Sequence, residues 1–595
     1  MHLSYSVSKY KDKSYKSYAI AESYRDGGKV RKRIVWKIGK LSDEQARQIK
    51  LICKVTKNEQ QLITKLEDIV VKETKSYLDI AVVNELWNQL KLDDAFSDEI
   101  TDSNLPTHTL AKILTINRCL DPRSHYSIPK WAKQNALKEI LDIDLSGLND
   151  DKIYYELDKI YLNQNAIEDH IFKQTYEQDP TSYDFIDYDL TTSYFVGYRC
   201  ALSKFGKGKA ECHGRRQVLL GVLINNQGYP FKWDVYPGNT AEVKTLKQNM
   251  DACTARFQLN DKNVTLVFDR GIISEDNADA IEEAKMKYIS ALDKNQIPTC
   301  GISLSPFDSL ASLNTDDDDI KVPIPHGFKK YDDSLFFKDG GVHSNKRFVI
   351  GFNPDLFTDD RDLRNLKFRL FEEYLQSENN ALKNAQKSRK QEATQNRVIK
   401  ELRRLKIKKY YQAPVLRKIT FERKLKDGTA KTVNSFHIEI NKKTDIINTE
   451  KLTDGVCVFV TNHLEKQGRG YKITAQSIIK AYRDKTKIED VFKNVKSFLK
   501  IRPFFVNKPL HVQAVYTICV IAYYINKYLS NQRKSFGEKD YLNSKELYAP
   551  FRDKDIAILE DKQTGLTAAK AVQLPKDTMN LIKKLGMGHI VWESQ

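Results

Sequence analysis

The sequence predicts an α/β protein: a mixed sheet flanked by helices, with a large insertion domain and a mainly helical N-terminal region. Three observations carry that class. Segments near 183–190, 217–225 and 231–236 are rich in aromatic and β-branched residues, as consecutive antiparallel strands are. The apolar run Val264–Phe268 and the short run Tyr288–Leu292 alternate with helical segments that begin near Ala241 and at Ser274, the pattern of parallel strands. Upstream, residues 58–172 read as helices, with Ile80, Val83, Leu86, Trp87 and Leu90 at a helical period.

From the N-terminus, residues 14–38 alternate as a basic β-hairpin around Asp26-Gly27-Gly28, and Ser42 with Gln45 has the spacing of a capping box for the helix that follows. A ribbon this rich in Lys and Arg suits a DNA groove, a solvated accessory hairpin being the alternative.

The first acidic strand is Ser182-Tyr-Asp184-Phe-Ile-Asp187-Tyr-Asp189-Leu-Thr191-Thr192, with Asp187 and Asp189 at period two and hydroxyls at its end. In the second, the apolar run stops at Asp269, Gly271 permits a sharp turn, and Ser274 is placed to cap the next helix. Carboxylates at the carboxyl ends of core strands lie where ligands gather in open α/β sheets.

Further on, Tyr482, Lys485, Glu489 and Lys496 are spaced to share one stripe of a single helix, beside a second stripe of Ile488, Val491, Phe492, Val495 and Leu499. Such a helix buries one side while it presents a phenol, a carboxylate and ammonium groups. Two strand-borne aspartates and a helix-borne glutamate together suit two divalent metal ions, which clamp the attacking and leaving oxygens of an in-line phosphoryl displacement.

These residues resemble a family, the bacterial insertion-sequence transposases of the Asp-Asp-Glu class marked by a Tyr-Arg-Glu-Lys signature. That signature is matched by Tyr482, Lys485, Glu489 and Lys496, with Lys485 standing where the family has Arg; the charge is kept and the bidentate fork is lost. Tyr188-Asp189-Leu-Thr191-Thr192 is similar to the first-Asp strand, Asp269-Arg270-Gly271 to the second-Asp turn, and Pro237-Gly238-Asn239 with Glu242 and Thr245-Leu246 to the loop and helix between them. Asn117-Arg118-Cys119-Leu120-Asp121-Pro122-Arg123-Ser124, Asp454-Gly455, Thr461-Asn462 and Arg502-Pro503-Phe504 extend the likeness.

The resemblance implies a ribonuclease-H-like core, and the 79 residues between Asp189 and Asp269 suit its strand order. The 219 residues between Asp269 and Glu489 imply an insertion. The expected organisation is a basic hairpin and helix at 1–57, a helical DNA-binding region at 58–180, the core at 181–296 and 463–530, an insertion of strands and long helices at 297–462, and a C-terminal region at 531–595. Within the insertion, residues 381–410 carry 11 Lys or Arg against two Glu, a bias suited to a DNA backbone or to a solvated arm. Lys204, Lys207, Lys209, Arg215 and Arg216 are placed to follow a phosphate backbone.

The family reading further implies that Asp189, Asp269 and Glu489 are catalytic and bind two Mg²⁺, with Mn²⁺ able to substitute, and that Asp187 is the rival first ligand. Tyr482, Lys485, Lys493 and Lys496 would hold DNA. The implied partners are the inverted-repeat ends of the element and target DNA, both double-stranded, engaged by a homodimer. The implied activity is hydrolytic cleavage followed by transfer of the freed 3′-hydroxyl. A nuclease without strand transfer and a non-catalytic DNA-binding descendant are the alternatives.

Composition bounds the rest. With 97 Lys plus Arg against 79 Asp plus Glu, the net charge of +18 favours a polyanionic partner. The eight cysteines (Cys53, Cys119, Cys200, Cys212, Cys253, Cys300, Cys457, Cys519) form no Cys-x-x-Cys pair and suit reduced thiols of a cytosolic protein. The N-terminus lacks the apolar core of a signal peptide, and the apolar run Ala514–Ile525 is too short for a bilayer and suits a buried helix. Asp316-Asp317-Asp318-Asp319 lacks the spaced ligands and turn glycine of a calcium loop and reads as a solvated loop.

Overall fold

A computed structural model describes every residue except 12, 56–63, 97–104, 207–213, 314–320, 425–428, 542 and 592–595. Cys212, Lys207, Lys209 and the run Asp316–Asp319 therefore lie outside the described residues. The chain forms two compact units: Met1–Val82 with Lys133–Leu141 and Phe551–Gln595, and Val83–Ala132 with Asp142–Pro550.

In the first unit the basic hairpin gains a strand, giving an antiparallel sheet of His2–Tyr10, Lys13–Asp26 and Lys29–Gly39. Gly27 and Gly28 both take positive φ at its two-residue turn, the conformation that a tight hairpin demands and that costs glycine least. The capping box forms: Ser42 N–H donates to Gln45 Oε1 at 2.9 Å and Gln45 N–H to Ser42 Oγ at 3.1 Å. A second sheet corrects the helical reading of 58–172. Ile69–Ser76 is a strand, paired with Asp555–Asp561, which also pairs with Thr567–Ala571. A partner nearly five hundred residues away leaves no local periodic signal. The division at 530/531 fails as well, because helix Pro509–Ser535 runs through it and the segment from Phe551 belongs to the N-terminal unit.

The second unit holds β1 (Phe185–Tyr194), β2 (Arg216–Asn225), β3 (Pro230–Pro237), α1 (Thr245–Ala255), β4 (Thr265–Phe268), α2 (Glu275–Glu283) and β5 (Lys287–Ala291). β1 pairs antiparallel with β2, and β2 with β3, whereas β4 lies parallel to β1 and β5 parallel to β4. The spatial order β3-β2-β1-β4-β5 with these directions is that of a ribonuclease-H-like core, as the strand pattern predicts. One face of β1 presents Ile186, Tyr188 and Leu190 to a core shared with Leu246 and Met250 of α1 and Ala278 and Ile281 of α2. Ser274 Oγ accepts from Asn277 N–H at 3.1 Å and starts α2 as expected.

The opposite face is covered by α3 (Ala475–Asp484), α4 (Thr486–Lys493) and α5 (Pro509–Ser535). Ile478 and Ile479 of α3 pack on Val267, Ile289 and Ala291. On α5, Tyr516 donates to the carbonyl of Gly221 at 3.1 Å, and Thr517 Oγ1 accepts from Trp233 Nε1 at 3.0 Å. Every residue from His511 to Asn526 is buried, so the apolar run is the inner helix of the core. Each apolar side chain so buried contributes about 1.5–3 kcal/mol. Among the described residues no helix is long and apolar enough to cross a membrane.

The insertion departs from a free-standing domain. Phe336–His343 (β6), Lys346–Phe352 (β7) and Val456–Thr461 (β8) extend the catalytic sheet, with β8 antiparallel to β5. A parallel sheet ending at β5 would expose an unpaired edge, and β8 satisfies it. The rest of the insertion, helices Pro354–Lys383 and Gln391–Arg404 with ribbon Val415–Lys424 and Ala430–Glu439, closes its own core around Phe368, Phe371, Leu382, Val398 and Leu402. At its root Asp454 is buried between Arg361 Nε and Arg364 Nη1, each at 3.0 Å. In the basic helices Arg397 pairs with Glu378 and Arg404 with Glu401, so part of that charge is spent within the arm.

Candidate active site

β1 and β4 run in parallel register, with Asp187 opposite Val267 and Tyr188 opposite Phe268. Asp189 follows on β1, and Asp269 is the first residue past the end of β4, where it starts the next turn. Asp187 shares the face of Asp189, two residues back on β1. The alternation that sends Ile186, Tyr188 and Leu190 into the apolar core turns these two carboxylates toward α3 and α4.

Asp269 is held from three sides. Its Oδ1 accepts from Arg270 N–H at 2.8 Å and from the Tyr482 hydroxyl at 2.9 Å, and Lys485 Nζ stands 3.2 Å from the same oxygen. Burial pushes this carboxyl up, but the Lys485 charge, the Arg270 amide and the Tyr482 hydroxyl outweigh it and hold Asp269 below the usual carboxylate range. Burial and the adjacent Asp269 charge raise the Tyr482 phenol, so it remains a donor. Asp187 is 5% exposed. Burial pushes it up to about 7 against the pull of Lys487 and Lys485, and the charges of Asp484 and Asp189 reinforce the rise.

The signature segment is not the single helix that its spacing predicts. α3 ends at Asp484, Lys485 forms the joint, α4 runs from Thr486 to Lys493, and a π-turn spans Asn494–Phe498. Ile488, Val491, Phe492, Val495 and Leu499 are all buried, as the apolar stripe requires, and the wider turn keeps the last two on the core side. The joint breaks the polar stripe. Tyr482 and Lys485 turn to Asp269, whereas Glu489 and Lys493 are exposed and Lys496 is half-buried against the Phe492 ring. The structure thus ties Tyr482 and Lys485 to Asp269 and brings the Lys485 charge to Asp187, with Asp189 two residues along the same strand, and does not gather Glu489, Lys493 or Lys496 with them. Among the described residues no three His, Cys, Asp or Glu side chains stand close enough together to hold an ion.

Supporting contacts complete the site. Gly271 has ordinary backbone geometry; a Cβ there would stand 3.1 Å from Glu242 Oε2, so the glycine gives clearance rather than a left-handed turn. Asn277 Nδ2 donates to the carbonyls of Val243 and Ile272 at 3.0 and 2.7 Å and pins the segment after Asp269 to the one before α1. Sequence reasoning missed Asn277; a polar residue on the inner side of α2 is the signal that could have found it. Of the basic residues after β1, Arg216 Nη1 donates to Ser203 O at 3.0 Å and Arg215 lies over the Tyr194 ring at 4.6 Å.

Two family models match the chain: IS1634 family transposase, N-terminal domain, over residues 3–64, and Transposase DDE domain over residues 180–330. No curated protein matches it in sequence. Among solved structures, a piggyBac transposase synaptic complex with hairpin DNA is similar at 9% identity and TM-score 0.33, over 80% of this chain and 76% of that one. A Mos1 transposase paired-end complex with the left transposon end is similar at 10% identity and TM-score 0.14, over 42% of this chain and 72% of that one. At such low likeness the chemistry must rest on the residues of this chain. The order of the motifs, the strand topology and the two matched segments agree: residues 3–64 are similar to the N-terminal domain of IS1634 family transposases and residues 180–330 to a transposase DDE domain.

Proposed function

We propose that this transposase binds the inverted-repeat ends of its own element, cleaves DNA by metal-dependent hydrolysis and joins the freed 3′-hydroxyl to target DNA. What supports the reading is the parallel register of β1 and β4, in which Tyr188 lies opposite Phe268 and Asp189 and Asp269 are the residues that follow them. Their hard carboxylate oxygens suit Mg²⁺ or Mn²⁺, and the Lys485 ammonium already lies against Asp269 as a cation. Asp189 and Asp269 would hold the metal, with Glu489 the third ligand once α4 presents it. Two bound ions would activate the attacking oxygen and neutralise charge on the leaving one.

The chain's own groups do the rest. Tyr482 and Lys485 keep Asp269 ionised and oriented, and Lys493 and Lys496 extend positive charge along the same segment toward end phosphates. The protein acts on double-stranded DNA in the cytoplasm, as a homodimer that pairs two ends.

The test is incubation of the protein with Mg²⁺ and a linear duplex carrying the gene's flanking DNA, together with a circular target plasmid. Joined end-plus-plasmid product supports the reading. Cut ends without joined product would favour a nuclease that lacks strand transfer, and neither product would favour a DNA-binding descendant.

A further inference from the structure

Two motifs that the candidate site leaves unused, Asn117–Ser124 and Arg502–Phe504, meet in the fold. Arg118 Nη1 donates to the carbonyls of Leu499 and Lys500 at 3.4 Å each. Beside this junction opens a cavity of about 400 Å³, within the range of small-ligand sites. Arg118, Arg123, Lys500 and Arg502 line it with cations, Tyr126 and Phe505 with rings, and among the described residues no Asp or Glu lines it. Tyr126 is 80% and Phe505 62% exposed, so both rings face water instead of the core.

The walls are built in advance. Asn117 Nδ2 donates to the Asp121 carbonyl at 2.9 Å and its Oδ1 accepts from Arg123 N–H at 3.0 Å, which fixes the loop, while Arg123 Nε pairs with Asp121 at 2.8 Å. Phe504 N–H donates to Tyr194 O and Val196 N–H to Phe504 O, both at 3.1 Å, so the opposite wall is tied to the end of β1. Tyr154 and His125 also line the cavity; Tyr154 stacks on His511, and His125 meets Tyr154 edge-on. Burial first, then the charges of Arg118 and His511, press His125 down to about 3 and keep it neutral.

We propose that this cavity takes an unpaired nucleotide of a DNA strand, its phosphate against the guanidinium groups and its base against Tyr126 or Phe505. Cations along a backbone with rings for successive bases are how single strands are held, and stacking tolerates any base. A paired base is already stacked in its duplex and offers no free face to such rings. The location fits: Tyr194 lies five residues beyond Asp189 on β1, about 17 Å along the strand. The inference rests on the DNA reading above and adds where a strand end or flipped base goes.

Fluorescence anisotropy of the full chain with labelled oligo-dT and with a labelled blunt duplex tests it, using Tyr126→Ala, Phe505→Ala and the double variant. These substitutions are neutral in charge and lie on exposed rings, so they leave the core and the electrostatic attraction in place. The double variant is expected to bind oligo-dT about ten-fold more weakly and the duplex unchanged, with Tyr126→Trp retaining single-strand binding. Equal losses on both probes, or none on either, would overturn the proposal. Wild-type protein that binds duplex but not oligo-dT would sink the cavity's role alone, and protein that binds neither would sink the DNA reading itself.

Discussion

The Lys485 ammonium stands 3.2 Å from Asp269 Oδ1, the oxygen that also accepts the Tyr482 hydroxyl. Lys485 is buried, and its charge reaches Asp187 as well as Asp269. This one side chain therefore balances much of the acidic face of the sheet. Its family counterpart is Arg, and the sequence reading assigned it to DNA phosphate. The structure gives it a carboxylate partner inside the site.

Lys485→Arg is expected to keep the pair and to hold DNA cleavage within about ten-fold of wild type, a change of about 1.4 kcal/mol. Lys485→Glu sets a second carboxylate against Asp269, which like-charge repulsion drives toward protonation. Cleavage should fall by at least about a hundred-fold, or 2.7 kcal/mol, with a smaller loss of end binding. Equal cleavage by the two variants in a gel assay would mean that the ion pair does not matter to the chemistry.

Asp189→Ala, Asp269→Ala and Glu489→Ala should each reduce cleavage to background while end binding stays within about ten-fold, since each removes a carboxylate and no phosphate contact. Asp187→Asn is the control. Burial favours its protonated form, which the amide mimics, so cleavage should persist. Loss of cutting in Asp187→Asn with normal cutting in Asp189→Ala would move the first ligand to Asp187.

Asp454 neutralises two buried guanidinium groups, Arg361 and Arg364. Asp454→Ala leaves both without their partner and should destabilise the protein by about 3–5 kcal/mol, seen as a lower melting temperature and early proteolysis of the 354–451 arm. An unchanged melting temperature would show that the arm is anchored elsewhere.

His125, held down to about 3 from an ordinary 6.5, is neutral in the folded chain and protonates on unfolding in mild acid. The unfolded state binds the extra proton below about pH 6.5, so folding stability is undiminished above that pH and falls as pH drops toward 3. The slope is at most about 1.4 kcal/mol per pH unit. His125→Gln should flatten the fall in melting temperature between pH 7 and 5 relative to wild type. Parallel curves would place the imidazole in water.

Local pattern revealed the strands and both aspartates, because alternation and an apolar run ending in Asp269 are written within ten residues. The capping box at Ser42 and Gln45 and the inner helix around Ala514–Ile525 were legible for the same reason. The strand at Ile69 was not, since its partner at Asp555 is remote in sequence. The break at Lys485 was hidden too: the spacing from Tyr482 to Lys496 satisfies a straight helix, and the π-turn at Asn494 arises from packing Val495 and Leu499 against the core. That break is why Tyr482 and Lys485 face Asp269 while Glu489 faces out. The pairing of β8 with β5 likewise answers the need of an open sheet edge, which no local motif announces.

Asp189 and Asp269 are proposed to form one divalent-metal site. Titration of Mn²⁺ into the protein, with free Mn²⁺ read by electron paramagnetic resonance, tests it without any DNA. Wild type should bind Mn²⁺, and Asp189→Asn or Asp269→Asn should each weaken binding by at least about ten-fold, 1.4 kcal/mol, while Asp187→Asn stays close to wild type. Identical Mn²⁺ isotherms for wild type, Asp189→Asn and Asp269→Asn would mean that these two carboxylates hold no shared metal.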